Sequence, residues 1–216
     1  MSTALFLLSG VVAGPLFVLV FLIEGALREG YDPMRQPVSA LALGPRGWVQ
    51  RANFIVTGGL MLVCAYGLSS VFHGDGSSFW APVLIALFAI GLIGAGIFVT
   101  DVAEIRSSIS EPPKRELHGI FHDLFSLLVF VSLFAATLVF HHLFAAFGAN
   151  GWAAYSAMSG ILLAIGFILF ARGFARPGEL SSIAGLLQRL TIAIGWLWIA
   201  IVAAYLMGQP SLGSGA

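Results

Sequence analysis

Residues Ala4–Leu27 read ALFLLSGVVAGPLFVLVFLIEGAL, and the chain then turns abruptly to REGYDPMRQPVSALALGPRGWVQR over Arg28–Arg51. The first stretch carries no ionisable side chain before Glu24. A helix rises about 1.5 Å per residue and the hydrocarbon core of a bilayer is about 30 Å thick, so about 20 apolar residues suffice to cross it. Ala4–Leu27 is long enough. Its leading MSTA has no basic residue, and its apolar run exceeds the usual 7–15 residues of a signal peptide core, so it is expected to persist as a first span.

Five further runs of the same kind follow: Trp48–Phe72, Trp80–Thr100, Leu117–Phe147, Trp152–Ala171 and Ile183–Met207. The expected fold is therefore all-α, a single domain over residues 1–216 built as an integral membrane bundle of six spans. Composition agrees. Hydrophobic residues make up 59% of the 216 and charged residues 9%, where a soluble domain normally has about 25% charged residues to cover its surface. A net charge of zero argues against a nucleic-acid partner. Cys64 is the single cysteine and lies in an apolar run, which leaves no disulfide framework and no cysteine metal site.

The ten basic residues are one-sided. Arg28, Arg35, Arg46 and Arg51 flank the first connection, Arg106, Lys114 and Arg115 lie in the third, and Arg172, Arg176 and Arg189 lie in or near the fifth. The second and fourth connections have none. Basic residues stay on the cytoplasmic side, so the expected topology is N-out, C-out, in the cell membrane. Within the first loop, Pro37 can open a short helix and Gly44-Pro45 must close it. Val38–Leu43 is thus expected as a short interfacial helix with Leu41 and Leu43 against the bundle. It either seats the loop or, with Ser39, forms a flap over a polar site.

The polar residues of the spans gather at that same end. Glu24 ends span one, Arg51 and Asn53 begin span two, and Asp101 closes span three. The stretch SEPPKRELHGIFHDLF opens span four, with Ser110 as N-cap and Pro112 and Pro113 in the first turn. His118 and His122 are then four apart on one helical face, with Asp123 about 100° further round. Gln188 and Arg189 sit inside span six. Ionisable groups at such depth usually face the bundle interior in pairs. The candidate ligand-binding cluster is Ser39, Arg51, Asn53, Asp101, His118, His122, Asp123 and Arg189, and Arg189 is expected within reach of Asp101, Asp123 or Glu24.

Histidines at i and i+4 can share a metal, which makes His118, His122 and Asp101 a candidate metal set. No HExxH glutamate is present, since Gly119 follows His118 and Phe121 precedes His122, and His141 and His142 lie about 28–30 Å further along the helix. Gly10 and Gly14, Gly58 and Gly59, and Gly91, Gly94 and Gly96 mark surfaces for close helix contact. No phosphate loop, nucleophile elbow, EF-hand or dinucleotide fingerprint occurs, and the sequence assigns no cofactor.

The segment YDPMRQPVSALALGPRGWVQRANFIVTGGLM, the GAGIFVTD ending at Asp101, the His118-Gly-Ile-Phe-His122 start of span four and Leu187-Gln-Arg-Leu190 together resemble the bacterial and archaeal membrane family called domain of unknown function 998. The resemblance covers nearly the whole chain. It implies a compact multi-spanning bundle and singles out Ser39, Asn53, Asp101, His118 and Arg189, but it implies no reaction. More distantly, Ser39, Asp101 and His118/His122 are similar in type and side to the zinc site of the seven-span alkaline ceramidase and adiponectin-receptor hydrolases. A third histidine and a seventh span are lacking here.

Three function classes follow. The first is a binding or transport module for a lipid head group or small polar ligand at the inner-leaflet cluster. The second is an intramembrane lipid hydrolase using a metal or a general-base histidine. The third is an accessory subunit, joining a larger complex or its own copies through glycine-lined helices.

Overall fold

A computed structural model describes residues 3–72, 76–101 and 116–209. Regular structure within them is entirely helical: α1 (Thr3–Leu27), α2 (Gly47–Ser69), α3 (Ser77–Ile97), α4 (Leu117–Ala146), α5 (Asn150–Ala175) and α6 (Ala184–Met207). All six are long and apolar enough to span a membrane. Their ends lie close to the expected runs; the largest departure is α5, which continues to Ala175 rather than stopping at Ala171. The expected cap at Ser110, with Pro112 and Pro113, falls outside the described residues. The described part of α4 begins at Leu117 behind an extended Glu116.

Each helix packs on its neighbours in sequence, and α1 closes on α6, so the six form a ring. An even number of antiparallel spans puts the start of α1 and the end of α6 at one end. The opposite end, called here the loop end, carries the first and fifth connections, the end of α3 and the start of α4. Large aromatic side chains fill the ring's centre, where α1, α3, α4 and α6 meet. Trp196 lies 5.2 Å from Phe17 and 5.2 Å from Phe88, centroid to centroid, and Trp198 lies 5.4 Å from Phe140.

Lipid tails are as apolar as leucine, so close packing rather than escape from water must hold such helices together. The glycines serve that end. A Cβ on Gly94 would fall 2.3 Å from the Phe125 ring of α4, and one on Gly58 would fall 2.9 Å from the Ala89 carbonyl oxygen of α3. Gly10, Gly14, Gly91 and Gly96 likewise face other helices of the same chain, whereas Gly59 opens outward. The outer surface is correspondingly greasy, with Leu19, Ile23, Leu127, Val131, Ile165 and Leu197 all exposed. In water such a belt would aggregate; in lipid it is the solvated face.

The first connection is not an open strap. Val38–Ala42 forms a short 3-10 helix, the loop helix, packed against α1, α2 and α6. Its Val38, Ala40, Leu41 and Ala42 are buried and Leu43 is half-buried. Gly44 turns the chain out of it with φ +72°, a conformation glycine adopts without strain. The expected short helix is present, seated on the bundle's end by four buried side chains.

Candidate functional site

The polar residues of the loop end divide into two clamps, with a cavity beneath the loop helix. The first clamp centres on Glu24, which is 2% exposed at the end of α1. Its carboxylate accepts from Arg28 Nη2 at 2.7 Å and from Arg46 Nη2 at 2.7 Å. Arg28 also donates to the carbonyls of Leu43, at 2.7 Å, and Leu41, at 3.0 Å. Arg28 follows Glu24 by one helical turn, so the pair is local, whereas Arg46 arrives only because the loop returns. One buried carboxylate thus ties both ends of the loop to α1.

Arg189 holds the same loop from α6. Its Nη1 donates to the carbonyl oxygens of Pro33, Gln36 and Gly185 at 2.6, 2.9 and 2.9 Å. Nη2 donates to the Tyr31 hydroxyl, whose ring centroid lies 5.3 Å from the guanidinium carbon. Tyr31 in turn donates to the Pro37 carbonyl at 3.0 Å. Burial pushes the Tyr31 phenol above its ordinary pKa, against the pull of Arg189, which keeps it a donor. The adjacent Gln188 accepts from the Val38 amide at 2.8 Å. The expectation that Arg189 meets Glu24, Asp101 or Asp123 is corrected here: its partners are two loop carbonyls, one carbonyl of its own helix and a phenol. Loop backbone at a membrane-facing end needs donors as much as an acid needs a base.

The second clamp joins α3 to α4. His122 is buried, and its Nδ1 lies 2.9 Å from the Phe98 carbonyl oxygen and 3.1 Å from that of Ala95. The last carbonyls of a helix have no partner within it, and the imidazole supplies one. Arg51 donates to the Gly96 carbonyl at 3.1 Å, finishing the same helix end. Asp101 accepts from the Glu116 amide at 3.2 Å and lies against Gly119, where any Cβ would collide with its carboxylate. It therefore caps the start of α4. His118 is exposed and touches the Phe98 ring at 5.6 Å. Asp123 is half-buried.

The eight residues read from the sequence are thus at one end but not at one point. His118 and His122 share a helical face, yet only His122 turns into the bundle, and its ring nitrogen is aimed at carbonyls. Among the described residues no three His, Cys, Asp or Glu side chains come together in a way that could hold a metal ion, so His118, His122 and Asp101 do not form the expected set. Asn53, buried in α2, donates to the Phe17 carbonyl at 3.1 Å and lies 3.4 Å from Gln50 Oε1. Its own Oδ1, like Gln50 Nε2, has no partner among the described residues.

Ser39 has a different place. It faces, with Gln188, Thr191 and Ser126, the polar rim of a cavity of about 70 Å³. Phe17, Phe54, Phe88, Leu92, Leu133 and Trp196 make the apolar remainder of its wall. Thr191 is occupied with the Leu187 carbonyl at 2.8 Å. Among the described residues no hydrogen bond engages the hydroxyls of Ser39 and Ser126, and Gln188 uses only its oxygen. Sequence reading passed over Ser126 because one serine in a long apolar run has no distinguishing signal. It passed over the Glu24–Arg28 pair although the i, i+4 spacing was visible.

Six apolar helices closed into a ring, with a clamped loop over one end, define a multi-pass integral membrane protein. The family model described as "Protein of unknown function (DUF998)" matches residues 11–205, and the chain belongs to that family. No curated protein and no solved structure matches it.

Proposed function

We propose that the protein is a membrane-embedded binding module that takes a small uncharged polar group into the cavity under the loop helix. The observation that carries this reading is the unmatched set of neutral donors and acceptors at Ser39, Ser126 and Gln188, facing a space of about 70 Å³. A single water needs only about 10–15 Å³, so the space takes several waters or the polar end of a ligand. An ion is disfavoured there. Burying a charge without a partner is costly, and the arginines and Glu24 are engaged with one another or with carbonyls. We also propose that the loop end faces the cytoplasm, on the bias of the basic residues.

The test is ligand-induced stabilisation of the purified protein in micelles. Monohexanoylglycerol should raise the unfolding temperature in a concentration-dependent way, as any ligand specific for the folded state does. Hexyl phosphate should not. Ser126→Phe, which fills the cavity, should remove the response. A protein equally indifferent to the ester before and after the substitution has no such site.

A further inference from the structure

The cavity is too small for a whole ligand. Sites for drug-sized molecules measure about 300–1,000 Å³, several times the 70 Å³ found here. Its occupant is either a fragment or the end of something longer whose remainder lies elsewhere. The walls come from α1, the loop helix, α2, α3, α4 and α6; α5 contributes nothing. On the far side of α4, a groove of about 220 Å³ runs between α4 and α5, lined by Phe130, Val131, Phe134, Leu163, Ala164 and Phe167 among others.

Phe130 borders both spaces. Its ring rests against Phe167 at 5.3 Å and Phe170 at 5.2 Å, so one aromatic side chain divides the two spaces. The groove lies at mid-span: Phe130 is 13 residues into α4, about 20 Å from its start. It is apolar and faces the hydrocarbon, where Val131 and Ile168 are exposed.

We infer that the ligand is a single-chain neutral lipid. Its hydroxyl- or amide-bearing head sits among Ser39, Ser126 and Gln188, and its aliphatic chain passes Phe130 into the groove between α4 and α5. The inference rests on the binding reading above and adds the chain and its exit. The shared wall at Phe130 carries it, together with the chemistry of the two spaces: uncharged hydrogen-bonding atoms in one, hydrocarbon in the other. Entry is lateral from the bilayer, since the loop helix covers the end of the bundle.

The experiment uses monooleoylglycerol with a diazirine in mid-chain, added to phosphatidylcholine vesicles containing the full protein, with unlabelled monooleoylglycerol as competitor. Competable crosslinks are expected on α4 near Phe130–Phe134 and on α5 near Leu163–Ile168. Ala164→Trp fills the groove and should weaken that labelling about tenfold, the factor given by 1.4 kcal/mol, while leaving the response to monohexanoylglycerol unchanged. Ile168→Trp, on the lipid-facing rim, is the second variant should the first fold poorly. If the short ester still binds but neither tryptophan alters the long-chain labelling, the exit between α4 and α5 is wrong and the cavity reading survives. If lysophosphatidic acid competes as well as the neutral ester, the uncharged head is wrong. If neither ester binds saturably, both readings fall.

Discussion

The two halves of the bundle solve the same packing problem with opposite materials. Away from the loop end, aromatic rings do the filling. Phe140 meets Phe72 at 5.7 Å, Phe144 at 5.8 Å and Trp198 at 5.4 Å, and Trp152 stacks on Tyr205 at 4.1 Å. The void left among them is about 10 Å³, barely the space of one water. Towards the loop end the helices are tied by Glu24, Arg189, Asp101 and His122, and a larger space remains beneath Ser39. Hydrogen-bonded clamps act at a few points and fix the helix ends without filling the space between them. Rings fill space without fixing ends. A bundle that keeps an interior space in one half and fills its interior in the other needs both.

Perturbations that tell the halves apart follow in order of size. An all-or-none result is expected for sidedness: cysteines introduced at Ser77 or Asn150 should react with an impermeant thiol reagent added to intact cells, and one at Ser181 should not. The native Cys64 is buried and stays silent. Reaction at Ser181 alone would reverse which half faces the cytoplasm.

Glu24→Ala should have the largest energetic effect. Removing one member of a buried ion pair costs about 3–5 kcal/mol, and Arg28, only 18% exposed, would be left without its carboxylate. A lower unfolding temperature should accompany faster tryptic cleavage at Arg35. Arg189→Leu should follow, on the order of 3 kcal/mol, because it strands the Pro33 and Gln36 carbonyls of the loop. Loss of stability without loss of loop protection would show that Arg189 serves α6 alone.

In the opposite half, Trp198→Phe removes the indole donor to Ser156, 3.2 Å away. It should cost about 1–2 kcal/mol and leave the monohexanoylglycerol response intact. A lost response would mean that the halves are coupled. Smallest of all is His118→Ala, expected within about 0.5 kcal/mol as a surface change, in contrast to a clear loss for His122→Ala. Equal losses at the two histidines would restore a joint role for the pair.

Much of this was legible without coordinates. The span limits followed from hydrocarbon thickness, and the crowding of Glu24, Arg51, Asn53, Asp101, His122 and Arg189 at one end followed from their positions in antiparallel spans. The short helix over Val38–Ala42 was bracketed by Pro37 and Gly44. What could not be read was pairing. Helical periodicity placed His118 and His122 on one face, yet the end of α3 approaches only the second. Charge balance suggested a carboxylate for Arg189, yet the loop brought carbonyls within reach first.

The sequence by itself determined the solvent, the number of crossings and the end at which polarity collects, because each depends on composition along one segment at a time. Tertiary structure alone decided the partners of each polar group and where space was left. Those depend on what a neighbouring helix presents: a glycine where Asp101 lies against α4, a helix end where His122 turns in, and a serine of α4 facing a serine of the loop across the cavity that neither fills.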